Sequence, residues 1–136
     1  MTLGARDLPG LRAFYLALGW PELPSSDGGW AAFPLGGAVL ALYPLDELAR
    51  EAAPGEGTPG AGWNGVTLAC NVEREAQVDT AYAAALEAGA TCVEAPVSRE
   101  WGGRSAYIAD PEGNRWELAW APNAVFDARG AVTSLG

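Results

Sequence analysis

The residue best suited to chemistry in this chain is Glu117. It lies in Y-I-A-D-P-E-G-N-R-W-E-L-A-W, Tyr107 to Trp120, set into an otherwise aromatic and aliphatic run. A carboxylate in mid-strand must be solvated, paired or metal-bound, because burying it bare is too costly. The chemistry open to it is ligand recognition, metal ligation or general acid–base work, which makes Glu117 the best catalytic candidate. Composition removes several alternatives. There is no His, which excludes a Ser-His-Asp triad, a Cys-His pair and a His-rich zinc site. Cys70 and Cys92 form no C-x-x-C pattern and read as buried, reduced thiols.

The elements around Glu117 follow from turn chemistry. Asp110-Pro111-Glu112-Gly113-Asn114 is a tight turn: Pro sets φ, Gly permits positive φ, and Asp and Asn tolerate turn geometry. Asp110 and Glu112 are therefore turn residues. Strand alternation then assigns faces. If Glu117 looks into a cavity, so do Arg115 and Ala119, while Trp116, Leu118 and Trp120 look toward helices. A symmetric turn sets Tyr107 opposite Glu117 and puts Ser105 on the same face.

The same order of elements occurs twice. In the first half, Leu3–Arg6 is a strand. Asp7 caps a helix with Leu11, Phe14, Tyr15 and Leu18 on its apolar face, ended by Gly19. A strand at Trp20–Leu23 and a hairpin of 30–35 and 38–43 follow. A Pro-, Gly- and Glu-rich connection, 44–62, includes a short helix at Leu45–Glu51. In the second half, Trp63–Val72 is a strand, Glu75–Ala88 a helix and Thr91–Val97 a strand. The loop 98–104 contains Trp101-Gly102-Gly103, and 105–109 with 115–120 closes the chain as a hairpin. Each half reads β-α-β-β-β. Laying Gly37–Tyr43 over Gly113–Ala119 puts Ala41 on Glu117. The first half thus lacks the carboxylate that the second half has.

The bulk properties bound the function. Length and 49% apolar residues indicate one folded domain, 1–136, with modules at 1–43 and 63–121 and a tail at 122–136. Net charge is −9 and the eight basic residues are all Arg, scattered, so no basic stripe exists for nucleic acid. Apolar runs are too short to span a bilayer and no signal pattern opens the chain, so the expected location is the cytoplasm.

The paired β-α-β-β-β order resembles the vicinal oxygen chelate superfamily, which includes glyoxalase I, bleomycin resistance proteins and extradiol dioxygenases. The matching residues are Arg6-Asp7-Leu8 running into Phe14-Tyr15-x-x-Leu18-Gly19-Trp20, and Asp110-Pro111-Glu112-Gly113-Asn114 leading to Glu117. The resemblance implies an α+β fold, two βαβββ modules whose curved mixed sheets surround a cavity with helices outside. It also implies four metal-ligand positions in metal-dependent members. Here they fall on Glu117, Ala41, Thr67 and a position before Met1. Ala41 has no donor and Thr67 offers a neutral hydroxyl, so the expectation is no metal and no cofactor.

The expected ligand-binding residues are Trp30, Tyr43, Trp63, Thr67, Trp101, Arg104, Tyr107, Arg115 and Glu117. An aromatic cavity with few polar groups suits a small molecule, and aromatic faces favour flat or cationic ones. The resemblance points to a metal-free binding protein like the bleomycin resistance branch, an antibiotic-resistance role, and a homodimer with the ligand in grooves between chains. The alternative is a metal-dependent lyase, isomerase or dioxygenase.

Overall fold

Asp7 starts the first helix as its cap, its side chain accepting from the Gly10 amide at 3.0 Å. The computed structural model describes residues 1–136. The elements are β1 (Thr2–Ala5), α1 (Leu8–Ala17), β2 (Ala31–Leu35), β3 (Ala38–Pro44), α2 (Leu45–Ala52), β4 (Thr67–Asn71), α3 (Ala76–Ala88), β5 (Thr91–Ser98), β6 (Arg104–Ala109), β7 (Arg115–Trp120), β8 (Val125–Phe126) and β9 (Val132–Ser134). The chain forms two compact units, 1–62 and 63–136. The fold is α+β with mixed sheets, as the element order implies.

In the first unit the sheet order is β1-β3-β2, with β1 parallel and β2 antiparallel to β3. Phe33, Leu40 and Leu42 are fully buried, and so are Leu11, Phe14 and Tyr15 of α1. Tyr15 stacks on Trp20 at 5.1 Å and tilts against Phe33 at 5.8 Å. Each large apolar side chain buried here contributes about 1.5–3 kcal/mol. The expected strand at Trp20–Leu23 does not form. Pro21 and Pro24 remove amide donors, and only the Leu23 amide bonds across, to the Ala32 carbonyl at 2.8 Å.

In the second unit the order is β4-β7-β6-β5, with β4 parallel to β7 and the other pairs antiparallel. Val78 of α3 packs on Ala106 and Leu118, with Cys70, Val72, Ala81, Tyr82 and Trp120 around them. The side chains of Trp116, Leu118 and Trp120 thus lie on the helix-facing side of β7, as alternation requires. Burial raises the Cys70 thiol above its ordinary pKa, whereas Cys92 lies exposed on the edge strand, contrary to its expected burial. The expected strand over 63–72 starts only at Thr67. Residues 63–66 turn instead, with the Trp63 indole N–H donating to the Val66 carbonyl at 2.9 Å and the Val66 amide to Asn64 Oδ1 at 3.1 Å. No helix is long and apolar enough to cross a membrane.

Candidate functional site

The turn that presents Glu117 is built by Asp110. Its buried side chain accepts from the amides of Glu112 and Asn114, both at 3.0 Å, and from the Asn114 side chain. Gly113 takes φ +88° and its amide donates to the Asp110 carbonyl at 2.9 Å. A positive φ there is what lets the chain reverse in so few residues. The register that follows is symmetric, with Tyr107 opposite Glu117 and Ala106 opposite Leu118.

Three rows of residues cross the sheet on the face opposite α3. They are Thr67–Arg115–Ala109–Thr91, then Ala69–Glu117–Tyr107–Glu94, then Asn71–Ala119–Ser105–Val97. On β4, β6 and β7 the row members are two residues apart and share a face. On β5 they are three apart, and a register shift on each side of Glu94 takes up the extra residue. The middle row is the chemical one. Tyr107 donates its hydroxyl to Glu117 Oε1 at 2.7 Å. That bond, followed by burial, raises the Tyr107 phenol above its ordinary pKa. Glu94 and Glu117 stand two strand spacings apart, about 9–10 Å, with Tyr107 between them.

Arg99 folds back over this row from the β5–β6 connection. Its Nε donates to the buried Ser105 hydroxyl at 2.7 Å. Its Nη2 reaches Glu94 Oε2 at 2.6 Å and its Nη1 reaches Oε1 at 3.4 Å. The guanidinium carbon lies 5.6 Å from the Tyr107 ring centroid, a cation–π arrangement. The Arg99 hydrogen bond holds the Glu94 carboxyl below its ordinary pKa.

The structure sorts the expected binding residues. Tyr107 and Glu117 are joined, and Thr67 and Arg115 lie side by side in the neighbouring row. Arg115 donates to the Gly113 carbonyl at 3.1 Å. Trp101 is exposed and its indole packs on Gly103, where a β-carbon would also meet the Trp120 carbonyl oxygen at 2.5 Å. Arg104 points to the other side of the sheet. Its Nε and Nη2 each bond one oxygen of Asp79 on α3 at 2.7 Å, so it ties β6 to the helix instead of joining Glu117. Trp63 lies in the turn before β4, so strand alternation does not set its direction. In the first unit, Trp30 is half-buried just before β2. There Tyr43 turns to α2, donating to Glu51 Oε1 at 3.1 Å. Sequence reasoning missed Arg99, Glu94 and Asn71. The Gly102-Gly103 turn was the one signal for Arg99, since it lets residue 99 lie back over β6.

The internal repeat also holds at the level of pairing. In the first hairpin, Ala32 stands opposite Ala41 where the second has Tyr107 opposite Glu117. Only the second half has the polar pair.

A profile of the Glyoxalase/Bleomycin resistance protein/Dioxygenase superfamily matches residues 1–118. The chain belongs to this superfamily. A glyoxalase-related enzyme from Fulvimarina pelagi is 28% identical, with a TM-score of 0.87 over 100% of this chain and 96% of that one. A glyoxalase/bleomycin resistance protein/dioxygenase from Nocardioides is 28% identical, with a TM-score of 0.71 over 88% of this chain and 80% of that one. Lactoylglutathione lyase from Agrobacterium tumefaciens is 25% identical, with a TM-score of 0.67 over 88% of this chain and 90% of that one. No curated protein matches.

The donors do not fit the superfamily's metal site. Glu117 has Ala69 beside it on β4 and Tyr107 on its Oε1, and its first-half counterpart is Ala41. No group of three or more His, Cys, Asp or Glu side chains gathers anywhere in the chain. An ion held for chemistry ordinarily has about three protein donors. Thr67 with Glu117 is one neutral oxygen and one carboxylate.

Proposed function

We propose that the chain is a glyoxalase/bleomycin resistance-like binding protein that takes an aromatic or cationic small molecule on the Glu117 face, without a metal. The observation that carries this reading is the middle row itself. A carboxylate stands next to a tyrosine ring and a small Ala69, with Tyr107 rather than a metal ligand as its partner. Exposed Trp101 and Trp63 add aromatic surface within the same unit. The net charge of −9 favours a cationic ligand by long-range attraction.

A homodimer and an antibiotic-resistance role belong to the same reading, as does the chain acting as one domain in the cytoplasm. Phe126 is half-buried in the β8–β9 hairpin, and exposed Val125 and Leu135 are the apolar groups that the tail offers a second copy.

The alternative is a metal-dependent lyase, isomerase or dioxygenase, favoured by the likeness to lactoylglutathione lyase. Elemental analysis of purified protein separates the two. Substoichiometric Ni, Zn, Mn and Fe is the expected result. A stoichiometric metal that disappears in Glu117→Gln overturns the binding-only reading.

A further inference from the structure

Arg99 is held in one orientation by two contacts. Its Nε is fixed by the buried Ser105 hydroxyl, and its flat face lies over the Tyr107 ring. Both of these contacts orient the guanidinium and leave its Nη edge for a bidentate partner. A planar carboxylate matches that edge with two parallel bonds, and a carboxylate is the group that sits there. Glu94 now fills the place unevenly, with one short bond of 2.6 Å to Nη2 and one long contact to Nη1. Its side chain is 49% exposed, it lies on the edge strand, and its Nη1 contact is stretched to 3.4 Å. The β5–β6 register shifts on both sides of Glu94, so the strand there is not locked into a regular ladder. Glu117 is not ion-paired with Arg99. Arg99 lies over the Tyr107 ring, and Glu117 is bonded at the hydroxyl of that same ring.

We propose that Arg99 recognises a carboxylate on the ligand, and that Glu94 is an internal stand-in which that carboxylate displaces. The proposal rests on the small-molecule reading above and narrows it. The ligand carries a carboxylate for Arg99 and, on the same face, the cationic or aromatic group that meets Glu117 and Tyr107. An amino-acid-like or otherwise zwitterionic aromatic fits this arrangement of charges. Glu94 then acts as a gate that favours ligands able to compete for the guanidinium.

The test uses isotope-labelled, full-length protein at constant ionic strength, with nuclear magnetic resonance following the Arg99 Nε–H. Sodium benzoate is the carboxylate probe and sodium phosphate its contrast. The proposal expects saturable benzoate shifts centred on Arg99 and Ser105. Glu94→Gln should bind benzoate about twofold to fivefold tighter, because an exposed ion pair of ordinary strength holds Arg99 in the closed form by about that factor. Arg99→Gln should lose the shifts. Arg99→Lys keeps the charge but not the fork, and should bind several-fold weaker. Preserved amide dispersion at Ser105 and Tyr107 reports folding in each variant. The proposal is overturned by absent saturation in both wild type and Glu94→Gln, by unchanged binding in the Arg99 variants, or by phosphate binding in preference to benzoate. Benzyltrimethylammonium separates this proposal from the reading beneath it. If that cation binds and benzoate does not, only the carboxylate assignment falls. If benzoate binds through Arg99 and no aromatic cation does, the anion receptor stands and the cationic reading falls.

Discussion

Tyr107 and Glu117 face each other across the β6–β7 hairpin, joined by a 2.7 Å hydrogen bond from the phenol to the carboxylate. The pair satisfies one of the two Glu117 carboxylate oxygens, on a face that also holds Thr67, Arg115, Glu94 and Ser105. The same tyrosine ring carries the Arg99 guanidinium over its face. These contacts support the proposed reading of this face as a receptor for charged, flat ligands.

The bond predicts a titration. Glu117 raises the Tyr107 phenol above its ordinary value of 10.0. A raised pKa means that this contribution to stability is complete below about pH 10 and lost as pH rises through the folded value. Ultraviolet titration of tyrosinate should show a late step that disappears in Tyr107→Phe and moves to lower pH in Glu117→Gln. An unchanged late step in Glu117→Gln would show that the bond does not form in solution.

Arg104 should behave as a structural residue. Asp79→Asn and Arg104→Met are each expected to lower the urea midpoint with unchanged slope, because the clamp between α3 and β6 is lost. The Arg104 hydrogen bond lowers the Asp79 carboxyl below its ordinary 3.8. Its stabilisation is therefore present above that value and lost as pH falls through the lower, folded one. Neither variant should alter binding of benzyltrimethylammonium. A large loss of binding with unchanged stability would place Arg104 at the ligand.

Much of this arrangement was legible in the chain. The β6–β7 hairpin could be read because Asp110, Pro111, Gly113 and Asn114 specify one turn, and the turn specifies the pairing of Tyr107 with Glu117. The core faces followed from period-2 and period-3.6 patterns, which is why Phe33, Leu40, Leu42, Trp116 and Leu118 fell where expected. The misreadings have physical causes. Trp20–Leu23 carries strand-like residues, but Pro21 and Pro24 cannot donate to a ladder. Trp63 was assigned a face by extending β4 backwards, and Gly65 with Asn64 makes a turn there. Arg104 and Arg99 flank one loop, and proximity to the site along the chain does not say which of the two crosses to it. Alternation from Ala106 puts Arg104 on the helix side, leaving Arg99, outside the strand, free to lie over Tyr107.

The loop's geometry has its own check. The Trp101 indole covers Gly103, where no β-carbon fits. Gly103→Ala should cost about 1–3 kcal/mol through overpacking and displace the indole. A shift in tryptophan emission that is absent from the Trp101→Phe, Gly103→Ala double variant is the expected readout. Unchanged stability and emission would mean that Trp101 does not rest on Gly103.

The first unit provides a packing test. Leu42 is fully buried beneath α1, with no polar role. Leu42→Ala should destabilise the protein by about 2–5 kcal/mol in denaturant unfolding. A loss under about 1 kcal/mol would mean that the site collapses around the cavity or is not buried.

The central claim is that Glu117 recognises a ligand directly, without a metal. Tryptophan fluorescence of wild type and Glu117→Gln, titrated with benzyltrimethylammonium and larger aromatic cations in the presence of a chelator, tests it most directly. Saturable quenching that persists in chelator and weakens about tenfold in Glu117→Gln is the predicted result, as expected for losing the Coulombic attraction between a part-buried carboxylate and a cation. Quenching that appears only when Ni, Zn or Mn is restored, or no quenching up to high micromolar ligand, would contradict it.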